Sequence, residues 1–392
     1  MVLYIIMIRR EITDIVLEYA KKFPVVTITG PRQSGKTTLS KALFPHKPYV
    51  SLEELDNRNY AQSDPRGFLS QFPDGAVIDE VQRTPDLLSY IQTIVDNKNQ
   101  EGLFILTGSQ QFEMMSRITQ SLAGRTAIVK LLPFTLQEAY PKLDRIHIDT
   151  VLYTGFLPRI FDKNINPTDV AAFYINTCLE RDVRQIINIR DITQFETFLQ
   201  LCAGRTGQLV NLNAISNETG VSHNTIKSWI SVLEASYIIK LLRPYHKRIT
   251  RRLVKTPKLY FLDTGLAANL IGIKSAEHLI NHPLKGALFE TYVVSELLKK
   301  KFNRGEKDNL FFYRDQKGNE LDLVLDNGFD LDLIEIKLSQ TLNSGFLKGF
   351  KNFPGIDTIQ KKEHIVYGGN QNCLYHNTAV HSWKMVEHVL IP

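Results

Sequence analysis

Cysteine is scarce in this chain. Cys178, Cys202 and Cys373 are the only three among 392 residues, and no two form a C-x-x-C pair. A zinc knuckle and a disulfide framework are thereby excluded, and a reducing, cytoplasmic setting is expected. The ten histidines include no H-E-x-x-H, so the helical zinc-hydrolase signature is missing. Long hydrophobic runs are missing too. The opening Met-Val-Leu-Tyr-Ile-Ile-Met-Ile is eight apolar residues, against the roughly 20 needed to span a bilayer. It also lacks the basic flank and small-residue cleavage site of a signal peptide. It reads as a first strand, or as an upstream start with the natural one at Met7. No membrane partner is expected. Internal repeats and low-complexity tracts are absent. What is present is ordinary: 43% hydrophobic and 22% charged residues, with 22 Gly and 16 Pro. That fills a core and excludes wholesale disorder and collagen. The length suggests two or three domains. The net charge of +6 is too small to decide a partner as a total, so its distribution matters.

Short β-branched or apolar runs at 25–29, 76–78 and 103–106 alternate with helical spacing, as at Ile12, Ile15, Val16 and Tyr19. This pattern predicts a parallel sheet covered on both faces. Residues 162–169 read as a loop and 170–201 as helical. A compact unit follows to about 257, and strands and helices mix again from 259.

Gly30-Pro31-Arg32-Gln33-Ser34-Gly35-Lys36-Thr37-Thr38 matches G-x-x-x-x-G-K-[ST] between a strand and a helix, the context in which this loop binds phosphate. Glycines let the backbone N–H groups wrap the phosphates, and the helix N-terminus adds its dipole. Lys36 is expected to reach the β- and γ-phosphates of ATP, and Thr37 to bind Mg²⁺. Ala76-Val77-Ile78-Asp79-Glu80 supplies the companion strand. Asp79 at its end is the candidate Mg²⁺ ligand, and Glu80 the base for the attacking water. The next strand ends Thr107-Gly108-Ser109-Gln110. There Ser109 or Gln110 is placed to sense the γ-phosphate, or to form an ordinary polar turn.

These motifs resemble the AAA+ ATPases over about 23–132, and more closely a prokaryotic ATPase family with a C-terminal domain of unknown function. Ser121-Leu122-Ala123-Gly124-Arg125 resembles that family's Ser-Leu-Ala-Gly-Arg box. The resemblance makes Arg125 a candidate arginine finger, and through it a homo-oligomer. The residues themselves allow a structural ion pair equally. Leu132-Pro133-Phe134 also looks like a family landmark. Gly155-Phe156-Leu157-Pro158-Arg159 carries a Leu inserted into the expected Gly-Phe-Pro-Arg, which leaves the role of Arg159 open.

Residues 212–218 read as a helix, and Gly220 suits the tight turn of a helix-turn-helix. Ser222 is a candidate N-cap for a second helix over 224–235. Ile226, Trp229, Ile230 and Leu233 point inward there, while His223, Asn224, Thr225, Lys227 and Ser228 point outward. A strand and a basic stretch follow. Residues 243–258 hold Arg243, Lys247, Arg248, Arg251, Arg252, Lys255 and Lys258 with no acid, more positive charge than the whole-chain excess. A basic wing beside a polar helix predicts nucleic-acid contact, DNA above RNA. A wing that only joins domains is the alternative.

After 259, Glu290 lies on a predicted helix running through Leu298. Asp322 lies on a strand after a turn, and Leu333-Ile334-Glu335-Ile336-Lys337-Leu338 forms a second strand. Period two puts Glu335 and Lys337 on one face, with Glu320 and Asp322 likewise sharing one. A Glu-x-Lys strand alone is usually a solvated face. The order Glu, Asp, Glu-x-Lys resembles the PD-(D/E)XK restriction-endonuclease-like superfamily over about 284–338. By that resemblance Glu290, Asp322 and Glu335 bind Mg²⁺, with Asp322, Glu335 and Lys337 catalytic. The expected architecture is α/β: an AAA+ P-loop three-layer domain (1–160), a helical linker or lid (161–203), a winged helix-turn-helix (204–258) and a restriction-endonuclease-like domain (259–392). The expected function is an ATPase coupled to nucleic-acid binding, with DNA cleavage by the last domain left open against a binding switch without nuclease chemistry.

Overall fold

The computed structural model describes residues 8–109, 120–179, 192–246, 254–354 and 360–391. The strand reading of residues 1–7, the sensor role of Gln110 and the basic residues Lys247, Arg248, Arg251 and Arg252 lie outside them.

The first sheet has five strands: β1 (Val25–Gly30), β2 (Tyr49–Ser51), β3 (Ala76–Asp79), β4 (Phe104–Ser109) and β5 (Thr126–Lys130). Their order is β2-β3-β4-β1-β5, and every pairing is parallel. β1 is buried along its whole length, as a strand covered on both faces must be. Its β-branched Val25, Val26, Thr27 and Ile28 suit a pleated, crowded surface. Helix α1 (Thr13–Ala20) and helix α2 (Lys36–Leu43), which opens after the loop from β1, pack against the sheet. Helix α3 (Leu87–Lys98) lies further along the chain. The strand ends Gly30, Asp79 and Ser109 finish on one side, where crossover connections leave a crevice.

The second sheet departs from the expected division. It comprises β6 (Gln208–Leu209), β7 (Ile239–Pro244), β8 (Lys258–Phe261), β9 (Leu310–Arg314), β10 (Glu320–Asp326), β11 (Asp330–Lys337), β12 (Gln360–Tyr367), β13 (Cys373–Tyr375) and β14 (Thr378–Ser382). These run in the order β13-β14-β12-β11-β10-β9-β7-β8-β6. β7 pairs parallel with β9, Arg243 opposite Phe311, so the β7–β8 pair and the C-terminal strands share one sheet. The boundary at 258/259 falls inside β8, because an edge of unpaired backbone on β7 is closed by the C-terminal strand β9. The boundary at 160 also moves. Leu131 belongs to the core of the first sheet. From Leu132 onward most buried residues join a core reaching Val389. That core takes in α4 (Leu136–Ala139), α5 (Pro158–Lys163), α6 (Ile192–Gly204), α7 (Leu212–Thr219), α8 (His223–Ala235) and the long α9 (Lys285–Asn303). A short helix, α10 (Lys348–Asn352), packs on β10 and β11, and with Tyr245, Tyr313 and residues of the C-terminal strands it forms a second core.

Helix α8 follows its pattern. Ile226, Trp229, Ile230 and Leu233 are buried, with Trp229 edge-on to Phe195 of α6. Ser222 caps it by accepting from Thr225 N–H, and Gly220 takes φ +69° at the turn. Helix α9 continues past the expected Leu298 to Asn303. Among the described residues no helix is long and apolar enough to cross a membrane.

Candidate functional sites

The loop after β1 has the geometry a phosphate needs. Gly30 sits at φ +151°, and a Cβ there would meet the Leu131 carbonyl at 2.1 Å. Gly35 sits at φ +92°, and even Gln33 takes a positive φ of 58°. Such a turn is affordable mainly to glycine. Lys36 is buried, and its ammonium donates to the carbonyls of Gly30 (3.1 Å) and Pro31 (2.7 Å). Arg32, Gln33, Lys36, Thr37, Thr38 and Glu80 line one cavity of ≈ 760 Å³. Ser34 is buried beneath it, and its carbonyl accepts from Arg10 Nη1 at 2.7 Å.

Asp79 is buried at the end of β3 and fully engaged. Its Oδ2 accepts from the hydroxyls of Thr37 (2.8 Å) and Tyr49 (2.7 Å), and its Oδ1 from that of Thr107. A hydroxyl and a carboxylate so joined are an all-oxygen donor set that suits Mg²⁺ shared with a nucleotide's phosphates. Glu80 follows in the left-handed conformation, φ +56°, strain of the kind held at working sites. Burial raises its pKa, while Lys36 and Arg32 pull it back. Gln82 donates both to Glu80 and to Ser109 Oγ (2.9 Å), so Ser109 joins the site through this amide.

Four participants escape sequence reasoning. Tyr49 and Thr107 hold Asp79 from neighbouring strands. Arg10 also donates to Leu132 carbonyl at 2.7 Å and pairs with Glu138 at 3.1 Å, across a sequence separation that no local pattern reveals. Gln82, two residues past Glu80, was the one with a local signal. Arg159, despite the inserted Leu157, is on α5 and lines the same cavity. Arg125 does not reach it. Its guanidinium makes a two-pronged ion pair with Asp96 of α3 (Nη2 to Oδ2, 2.8 Å). Its carbonyl accepts from Val25 N–H at the opposite end of β1.

On the second sheet, Lys337 pairs with Asp322 (3.0 Å) and with Glu335, and Asp322 also accepts from Ile336 N–H (2.7 Å). Burial first, then Asp322, pushes the Glu335 carboxyl up to about 8. Glu290 faces the same region from α9 but is held elsewhere. It accepts from Tyr260 and from Lys258 (3.1 Å), and Lys258 also pairs with Glu320 (2.5 Å). Lys258 therefore leaves the basic stretch. It is 3% exposed, because the pairing of β8 turns it onto the acids. The expected Mg²⁺ ligands Glu290, Asp322 and Glu335 do not fit a metal as arranged. Among the described residues no group of three or more His, Cys, Asp or Glu side chains is placed to hold one, and each of these three carboxylates already faces an ammonium. A Cβ on Gly349 of α10 would lie 1.5 Å from Glu335 Oε1, so only glycine lets this helix close over Glu335.

A third feature is a groove of ≈ 800 Å³ between α8 and the strands. His223, Lys227, Arg243 and Lys255 line it, with Glu234 the one acid among its lining residues.

The parallel sheet and its phosphate loop define a P-loop ATPase of the AAA type. Residues 22–140 match an AAA domain, 145–277 a domain of unknown function (DUF8612) and 285–385 a second one (DUF4143). The chain belongs to the family of the uncharacterized protein Rv2008c of Mycobacterium tuberculosis, to which it is 31% identical over 308 residues, 77% of this chain and 68% of that protein. An uncharacterized protein of Haemophilus influenzae is 22% identical over 289 residues, 65% of this chain and 71% of its own. Among solved structures, the Walker-type ATPase PABY2304 of Pyrococcus abyssi is a distant likeness: TM-score 0.43 and 15% identity, covering 67% of this chain and 96% of that one.

Proposed function

We propose that the protein is a nucleotide-driven switch that hydrolyses ATP at the P-loop and uses the cycle to control nucleic-acid binding, DNA foremost, by a winged helix spanning about 204–258. In this reading the triphosphate lies along the 30–38 loop. Lys36 leaves its carbonyl partners for the β- and γ-phosphates, and Glu80 orients and deprotonates the attacking water. Thr37 and Asp79 would hold Mg²⁺, which neutralises phosphate charge when bound. An adjoining hollow lined by Ile8, Leu39, Phe134 and Pro158 has the apolar walls a purine ring needs. Arg125, remote from its own loop, would act only on a neighbouring copy in a homo-oligomer.

The observation that carries nucleic-acid binding is the groove, in which Lys227, Arg243 and Lys255 face a single acid. Cations so gathered suit a phosphodiester backbone and give affinity without strong sequence choice. The test is DNA binding across a salt series. Lys227→Ala with Arg243→Ala should weaken binding and reduce the log–log salt slope by about two contacts at ~0.9 each. An unchanged slope would remove the groove from the interface.

A second reading, cleavage by a restriction-endonuclease-like C-terminal domain, is favoured by the meeting of Asp322, Glu335 and Lys337. Nicking of DNA with Mn²⁺ by the native chain and not by Glu335→Gln would establish it. The pairing of these acids with lysines favours the switch without cleavage.

A further inference from the structure

The carboxylates of the second sheet are balanced by side chains of the protein itself. We infer that Lys258 is the resident cation of this site and holds it shut against divalent metals. The inference stands apart from the nucleic-acid reading and concerns only what the acids bind.

Three observations lead to it. First, Lys258 is buried with its ammonium between two acids from different elements, Glu290 of α9 (3.1 Å) and Glu320 of β10 (2.5 Å). Second, each of these acids is already paired within the protein. Lys337 pairs with both Asp322 and Glu335, Ile336 N–H and Lys337 both donate to Asp322 Oδ2, Arg314 takes the other oxygen of Glu320 at 3.0 Å, and Tyr260 donates to Glu290. Third, α10 lies directly on Glu335 at Gly349, so the outer face of that carboxylate is covered by backbone.

A dication bound to Glu290 and Asp322 would need their oxygens at about 2.0–2.1 Å for Mg²⁺. It would meet an ammonium already in contact with one of them, and two like charges so close in a buried site repel strongly. The ammonium has the further advantage of being tethered. It cannot dilute away, so a free cation must displace it rather than add to it. The placement is also specific. Lys255, Thr256 and Pro257 line the groove beside α8, and the very next residue turns inward to close the acids. The lysine that the sequence assigns to a basic wing thus serves the other side of the strand.

The experiment is calorimetric titration of Mn²⁺ into the full-length chain without nucleotide, with Asp322→Asn as the control that subtracts metal taken at the P-loop. The native chain should show no Asp322-dependent uptake up to about millimolar Mn²⁺. Lys258→Met, which keeps the stem and removes the charge, should gain one such site, at least about tenfold tighter than in the native chain, and a second change, Glu290→Gln, should abolish it. Should Lys258→Met fold poorly, Lys258→Gln replaces it, and a melting temperature raised by Mn²⁺ in the variant but not in the native chain reports the same gain. Asp322-dependent Mn²⁺ binding by the native chain overturns the inference. So does a folded variant that gains no site, since another group would then be closing it.

Discussion

Glu80 shows how one position combines local strain with distant support. Its left-handed backbone turns the side chain away from the direction strand β3 would impose, and Gln82 ties it to Ser109 of β4. Replacing it by Gln keeps size and hydrogen bonding and removes only the basic function. Glu80→Gln should therefore bind ATP with near-native affinity and hydrolyse it about 10²–10⁴ times more slowly. A fluorescent-nucleotide titration beside a phosphate-release assay measures both quantities, and unchanged turnover would take the base role from Glu80. Both residues of the Asp-Glu pair are visible in the sequence. Their settings are not: Tyr49 and Thr107 reach Asp79 from strands 30 and 28 residues away in the chain, so no spacing rule could name them.

Helix α9 carries two duties on one rod. Near its start Glu290 faces Lys258 and Tyr260. Further along, Glu296 accepts from Leu136 N–H (2.9 Å), Lys299 stands over the Phe156 ring at 3.6 Å, and Lys300 pairs with Glu11 at 2.8 Å. The run Lys299-Lys300-Lys301 reads in isolation as a solvated helix end, yet all three are buried, because the Phe156 ring, Glu11 and Glu306 respectively receive them. Burial pushes Glu296 up from 4.5 to about 7. The folded state then holds this proton more tightly than the unfolded chain does. The contribution of the group is fully present below about 4.5 and is lost as pH rises through about 7. Glu296→Gln should flatten stability over that window, and relative to the native chain should be more stable at pH 8 than at pH 4. Urea midpoints of both proteins at the two pH values check the sign.

At the scale of the molecule, the shared nine-stranded sheet and the large core running from Leu132 to Val389 argue against separable C-terminal domains. A fragment of residues 259–392 would lose Lys258, uncover the β9 edge that β7 pairs, and strip the core of α6, α7 and α8. It should show no cooperative thermal transition by circular dichroism, whereas the full chain should. A sharp melt of the fragment would restore the boundary read from the sequence.

Sequence alone determined the features whose physics is local. A phosphate loop is specified by glycines within nine consecutive residues, and the cap of α8 and its buried face by residues three or four apart. The shared face of Glu335 and Lys337 follows from strand periodicity. Tertiary structure decided which charges meet. Lys258 lies in a like-charged stretch and Arg125 in an uncharged box, but a buried ammonium must find acids and an exposed guanidinium takes whichever is nearest. Those partners come from β10, α9 and α3, elements brought near only by strand pairing and core packing. The boundaries moved for the same reason. A strand edge is closed by whatever backbone lies beside it, and no stretch of sequence states which strand that will be.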